Sequence, residues 1–189
     1  MTFLLDTNVV SYFLQVGRER ELAEAARICP MALVDEVFRE LKVDPHRGGR
    51  TFTHWFGASK ISVLPIEVGS PASMTFARLR DLRPPNSNLP PPNKDRGERA
   101  SIALAASDLS LTFVAHDKNA MWIALREIWE PGERLVGVPV FLRRLFAASA
   151  LSEPVIADEI IAQIKPAQPT GWAEWRSGLS GLSGLSSEQ

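Results

Sequence analysis

The apolar run Phe3-Leu4-Leu5 closes on Asp6-Thr7-Asn8, and Val9, Val10, Tyr12, Phe13 and Leu14 follow at helical spacing. A continuous apolar run bounded by turn residues reads as a strand buried on both faces. Such a strand needs helices above and below it, which restricts the chain to an α/β architecture. The pattern recurs at Leu111-Thr112-Phe113-Val114-Ala115, which runs into His116-Asp117 and then a helical stretch from Lys118 to Ile128. Two carboxylates therefore stand where buried strands hand over to helices. In open α/β sheets, ligands bind outside the carboxyl ends of the strands. Asp is also a favoured N-cap, so capping is the competing role for both residues.

The remaining elements alternate in the same way. Glu19 to Arg27 reads as a helix, Ile28 to Leu33 as a short strand or a tight connection around Pro30, and Val34 to Lys42 as a helix. In that helix Val34, Val37, Phe38 and Leu41 recur at i, i+3, i+4 and i+7. Ile61 to Ile66 reads as a strand, and Pro71 to Leu82 as a helix with Pro in its first turn. Five prolines between Arg83 and Asn93 make that segment a loop. Arg96 to Asp108 is a helix with an Ala-rich face, Leu135 to Val138 a short strand, Val140 to Ala150 a helix, and Pro154 to Ile164 a last helix. The expected organisation is one domain over 1–150, a C-terminal helix within 151–165, and a tail over 166–189. The tail repeats Gly-Leu-Ser three times from Gly178, has no core-forming period, and reads as disordered. Trp172 and Trp175 precede these repeats and could dock on the domain or on a partner.

Composition sets the outer limits. Hydrophobic residues make up 45% of the chain, enough for a core, and 21 basic against 22 acidic side chains leave a net charge of −1. A near-neutral total neither requires nor forbids a nucleic-acid partner, because a basic face can hide within it. The lone Cys29 allows no disulfide within the chain. With no signal-peptide pattern and no apolar run of about 18 residues, a cytoplasmic protein without a membrane span is expected.

Two further acids join Asp6 and Asp117. Glu98 opens the helix before the second Asp-terminated strand, with Asp95 as its rival, and Glu40 lies near the end of the Val34–Lys42 helix, with Glu36 as its rival. Carboxylates brought together repel unless a cation sits among them. Oxygen donors with room for water suit Mg²⁺ or Mn²⁺, and such a site can activate water for in-line attack on a phosphodiester. No zinc-type Cys/His cluster, Gly-x-Ser-x-Gly or phosphate-loop pattern competes.

In order and spacing, Phe3-Leu4-Leu5-Asp6-Thr7-Asn8, Val37-Phe38-Arg39-Glu40-Leu41, Gly97-Glu98-Arg99-Ala100-Ser101-Ile102-Ala103-Leu104-Ala105 and Val114-Ala115-His116-Asp117 resemble the four motifs of the PIN-domain ribonucleases. That family includes the VapC-like toxins of type II toxin–antitoxin pairs. The resemblance runs from Thr2 to about Val140. It implies a three-layer α/β/α sandwich with a central parallel sheet and hydrolysis of RNA with Mg²⁺ or Mn²⁺. Its catalytic acids would be Asp6, Glu40, Glu98 and Asp117, with Asp6, Glu98 and Asp117 on the metal. Thr7 and Asn8 would support them. RNA as substrate and a cognate antitoxin are the partners it implies, and a homodimer is left open.

Between Lys42 and Lys60 the basic residues Lys42, Arg47, Arg50 and Lys60 interleave with Phe52, Trp55 and Phe56. Cations can meet phosphates and rings can stack on unpaired bases, so this stretch is the expected RNA contact. The competing expectation is that the rings belong to the core. His46, His54 and His116 are not expected to act in catalysis, although His116 adjoins Asp117. A second functional reading is a PIN-like module that binds RNA or protein without cutting. It is suggested by Ala115, where many relatives carry Thr or Ser.

Overall fold

A computed structural model describes residues 1–43, 49–80, 82 and 95–164. His46, Arg47, the side chain of Arg50, the proline-rich stretch 83–93 and the tail from 166 onward lie outside the described residues. Five strands form one sheet: β1 (Thr2–Leu5), β2 (Met31–Val34), β3 (Ser62–Leu64), β4 (Leu111–Ala115) and β5 (Leu135–Gly137). Every pairing is parallel and the order is β3-β2-β1-β4-β5. The uncertain segment before Val34 is thus a strand. It reads as apolar throughout because all four of its residues are buried.

Alternate residues of each central strand feed two separate cores. Phe3, Leu5, Met31, Leu33, Val114 and Val136 pack on one face, and Leu4, Ala32, Leu111, Phe113, Ala115 and Leu135 on the other. The first face is covered by α1 (Thr7–Gln15), α2 (Glu19–Ile28), α3 (Asp35–Val43), α4 (Gly49–Ala58), α9 (Val138–Ala147) and α10 (Pro154–Ala162). The second is covered by α5 (Pro71–Leu79), α6 (Arg96–Ser107) and α7 (Lys118–Glu127). The result is a three-layer α/β/α sandwich around a parallel sheet. The short α8 (Pro131–Arg134) leads into β5. Ile156, Ala157, Ile160 and Ile161 of α10 belong to the same core as β1, and Arg18 clasps Glu159 at 2.7 Å, so this helix packs as part of the domain.

The Lys42–Lys60 stretch is folded into the core at its aromatic positions. Phe52 is fully buried and Trp55 nearly so, and both pack with Phe38 and Phe56 in one aromatic cluster at ring-centroid distances of 4.9 to 6.2 Å. Phe52 and Trp55 therefore cannot stack on bases without leaving the interior, which corrects the expectation that these rings meet RNA. Burial of apolar area outweighs the polar surroundings here, because each aromatic side chain removes a large surface from water. Lys42 and Lys60 stay exposed at the ends of this segment.

At the amino end of β4 a buried arginine closes the fold. The Arg134 guanidinium donates to the carbonyls of Leu111 (3.3 Å), Trp129 (3.0 Å), Asp108 (2.7 Å) and Ala105. One side chain thereby satisfies the carboxyl end of α6, the start of β4 and the segment after α7. Arg134→Leu should leave these carbonyls short of donors and lower unfolding free energy by about 3 kcal/mol, since each unsatisfied buried group costs ~1–3 kcal/mol. Urea titration measures this, and a change below about 0.5 kcal/mol would show that water replaces the guanidinium without loss.

Candidate active site

The sheet order reverses between β1 and β4. From β1 the chain adds β2 and β3 on one side, then returns to place β4 and β5 on the other. Such a switch point leaves a crevice at the carboxyl ends of the two strands, because their following helices depart to opposite faces. Leu5 pairs with Val114, and the Asp6 N–H donates to the Val114 carbonyl at 3.1 Å. Asp6 and Asp117 thus leave the sheet side by side at its switch point.

Both aspartates do cap helices. Asp6 Oδ2 accepts the Asn8 N–H at 3.4 Å at the start of α1, and Asp117 Oδ1 accepts the N–H groups of Asn119 (2.7 Å) and Ala120 (3.3 Å) at the start of α7. Capping does not account for their setting, however. Asp6 is 1% exposed, where a carboxylate loses most of its hydration. Asn8 is half-buried, and its N–H is part of the Asp6 cap.

Glu98 completes the centre. It is buried in the first turn of α6, and its pKa is pushed up to about 9, first by loss of water and then by the charges of Asp6, Asp117, Asp95 and Glu40. It therefore holds its proton at neutral pH. Asp95 caps α6 from a left-handed backbone conformation at φ 65° and makes no side-chain capping bond. The neighbouring Arg96 pairs with Glu36 at 2.9 Å, and Arg39 reaches the same Glu36 oxygen at 3.4 Å. Of the rival acids Glu36 and Glu40 on α3, Glu36 faces arginines and Glu40 faces Thr7 and Gly97.

Glu40 is held from both sides. Thr7 Oγ1 donates to Oε2 at 2.6 Å, and the Gly97 N–H donates to Oε1 at 2.8 Å. Only glycine fits at position 97. A Cβ there would lie 2.8 Å from both Glu40 Oε2 and Val37 Cγ2. Thr7 is buried, and its hydroxyl is the link between the chain beside Asp6 and the α3 acid.

Two aromatic side chains border the acids, and one of them, Tyr12, belongs to the apolar helical pattern of α1. Tyr12 is half-buried, and burial followed by the charges of Asp6 and Asp117 raises its pKa, so the phenol stays protonated. His116 is half-buried too, and burial lowers its pKa against the opposing pull of Asp117, which keeps the ring neutral at pH 7. The rings meet edge to face with centroids 6.4 Å apart. Position 12 falls one turn beyond Asn8 on α1, a helical relation readable in the sequence. Only the β1–β4 pairing puts it beside Asp117. Ala115 is fully buried on the apolar side and brings no hydroxyl to the acids.

Among the described residues, no group of three or more Asp, Glu, His or Cys side chains forms a ready-made metal cage. The centre is a looser constellation, with Asp117 turned onto its own helix and Glu40 engaged by Thr7 and Gly97.

No protein-family model matches the chain, and no curated protein matches it in sequence. Among solved structures, the chain is similar to one in the crystal structure of VapBC2 from Rickettsia felis bound to a DNA fragment from their promoter. The identity is 16%, the alignment covers 72% of this chain and 98% of that one, and the TM-score is 0.45.

Two outcomes test this geometry. Glu98 retains a proton that the unfolded chain releases near its ordinary pKa, so the folded state loses relative stability as pH rises from about 4.5 to about 9. In EDTA, Glu98→Gln should flatten that decline and be the more stable protein at the alkaline end. Parallel slopes in urea titrations at several pH values would place the raised pKa elsewhere. Gly97→Ala, a change that normally strengthens a helix by about 0.5–1 kcal/mol, should instead destabilise by ~1–3 kcal/mol through overpacking against Glu40 and Val37. Thermal melting gives the sign directly.

Proposed function

We propose that the chain is a metal-dependent ribonuclease of the PIN-like kind, with Asp6, Glu98 and Asp117 as the acids that hold Mg²⁺ or Mn²⁺. The observation that carries this reading is the burial of Glu98 among like charges at the switch point of a parallel sheet. A fold gains nothing in stability by crowding carboxylates, whereas perturbed acids in a cleft are characteristic of functional sites. The donor set fits a hard cation. All donors are carboxylate oxygens, and Mg²⁺ keeps several waters and needs only one or two direct carboxylates, so a closed cage of three is unnecessary.

When bound, the cation supplies a nucleophilic water and neutralises charge that develops on the phosphate. Asp6 presents its carboxylate from a backbone fixed to β4, and Glu98 must give up its proton for full negative charge. Asp117 adds a third carboxylate from the start of α7. Glu40 orients this set, tying Thr7 beside Asp6 to the first turn of α6 beside Glu98. Exposed Lys42 and Lys60, with Arg47 and Arg50, would meet RNA phosphates through charge alone, since the rings between them are core. By the motif resemblance the substrate is RNA and a cognate antitoxin is the protein partner, and the lone Cys29 suits the reducing cytoplasm.

The second reading, a PIN-like module that binds without cutting, is favoured by the buried Ala115 methyl. The two readings separate in one assay. Purified protein should cleave RNA in Mg²⁺ and stop in EDTA, and Asp6→Asn and Asp117→Asn should fall to background, while the non-cleaving module would bind RNA and leave it intact. Thermal melts give a readout independent of turnover. In EDTA, Asp6→Asn should melt above wild type because one repelling charge is gone. In Mg²⁺ wild type should gain about 2.7 kcal/mol at roughly a hundredfold excess over Kd, and the variant little. Equal Mg²⁺ responses would remove Asp6 from the ligand set.

A further inference from the structure

The acids lie at the carboxyl ends of the strands, and the opposite edge of the sheet carries apolar side chains that the domain does not cover. Met1, Ile28, Leu109 and Trp129 each keep more than half of their surface exposed. Backbone hydrogen bonds place them in line. The Thr2 N–H donates to the Ser110 carbonyl at 2.9 Å, which sets Met1 beside Leu109. The Phe3 N–H donates to the Pro30 carbonyl at 2.9 Å, which brings the end of α2, with Ile28, to the other side of Met1. Arg134 holds the Asp108 and Trp129 carbonyls on one guanidinium, so the segments of Leu109 and Trp129 adjoin. In the order of the sheet the row reads Ile28, Met1, Leu109, Trp129. Neighbouring strands lie about 4.8 Å apart, so the row spans roughly 15–20 Å. A single exposed apolar side chain is ordinary on a protein surface. Four in line along one edge, each from a different stretch of chain, are the pattern of an interaction face.

The two ends of the row carry opposite charge. Arg27 precedes Ile28, and the Ala32–Ser62 pairing sets Lys60 level with Pro30. At the other end Asp108 precedes Leu109 and Glu130 follows Trp129. All four charged residues are exposed, and none forms an ion pair among the described residues. Arg126 on α7 is drawn over the Trp122 ring at 5.0 Å. A two-fold axis through the middle of the row makes this surface complementary to itself, because in such an interface residue i meets j and j meets i. The basic end of each copy then faces the acidic end of the other. A partner of one charge sign would leave one end of the row opposed. An interface of ordinary size takes about 800 Å² from each copy, a face about as large as this row with its charged ends.

We propose that two copies of this chain associate through the amino-end edges of their sheets, with Ile28 on the partner subunit's Trp129 and Met1 on the partner subunit's Leu109. The inference is the face and its two-fold apposition, and it does not rest on the ribonuclease reading. The acid rims point away from each other at opposite ends of such a dimer, so each copy keeps its own site open. Lys60 is covered in this arrangement, and contact with RNA falls to Lys42, Arg47 and Arg50.

Sedimentation velocity of the full chain over a range of concentrations is the test. Wild type should sediment as a dimer that dissociates on dilution. Leu109→Ser with Trp129→Ser, both at exposed positions, should raise the dimer Kd by about tenfold or more, as truncated anchors of an interface do. Arg27→Glu and Glu130→Lys should each weaken self-association by about tenfold or more, because each sets like charges against one another at both ends of the row. An equimolar mixture of these two variants should regain wild-type affinity. In the mixed dimer each substituted residue meets the other, and the two unchanged residues meet across the axis. Recovery on mixing separates the apposition from any loss of fold. A monomeric wild type overturns the proposal and leaves the row to the chain's own tail or to a different protein. A wild-type dimer that the Ser variant does not weaken, or single variants that do not recover on mixing, overturns it as well, since the copies then meet elsewhere. Mg²⁺-dependent cleavage per chain should be the same in all these variants, which keeps this outcome apart from that of the ribonuclease reading.

Discussion

The candidate site depends on one carboxylate whose two oxygens face different elements. Glu40 accepts from Thr7 on one side and from the Gly97 backbone on the other. These bonds join the first turn of α1 to the first turn of α6 across α3, and so fix the spacing between Asp6 and Glu98. A charged acceptor bonded to neutral donors is stronger than an ordinary hydrogen bond, and a partly buried one is stronger again. The missing side chain at Gly97 is the other half of the joint. Without it Glu40 could not approach α6, and the two halves of the acid group would stand on unconnected helices.

This joint works against a standing repulsion. Glu98, Asp6 and Asp117 would separate if they were free to move, and the fold holds them near one another through β1–β4 pairing and three helix starts. Part of the strain is relieved by protonating Glu98, and part by turning Asp6 and Asp117 onto backbone N–H groups. The caps and the proton both lower the repulsion within this like-charged cluster. Capping also fixes their place, because the N–H groups that satisfy Asp6 and Asp117 hold them at the sheet edge.

The layers of the sandwich were legible in the sequence because the strands are apolar on both faces and the helices on one. Leu4 and Leu5 enter different cores, and that is why the run Phe3-Leu4-Leu5 shows no alternation. The acids were legible from their places at element ends. Three features were not. Choosing between Glu36 and Glu40 required knowing that Arg96 lies beside one and Gly97 beside the other, a relation across more than fifty positions in the chain. Tyr12 looks like any helical aromatic until β1 and β4 are paired. Phe52 and Trp55, set among basic residues, suggested a surface, because local composition carries no information about how α4 packs on Phe38.

The two ends of β4 differ in how they respond to acid. At its carboxyl end stands Glu98, whose burial among like charges opposes ionisation as pH rises. At its amino end Arg134 is bound, among the described residues, to four carbonyl oxygens and to no carboxylate. A guanidinium does not titrate in the accessible range, and amide oxygens do not either. An arginine–aspartate pair in this position would come apart once its acid was neutralised, whereas this clamp keeps its full hydrogen bonding. Raising the pH should therefore unsettle the acid-lined rim while the foot of the sheet stays anchored, giving the domain a chemically inert hinge-pin beneath a titratable mouth.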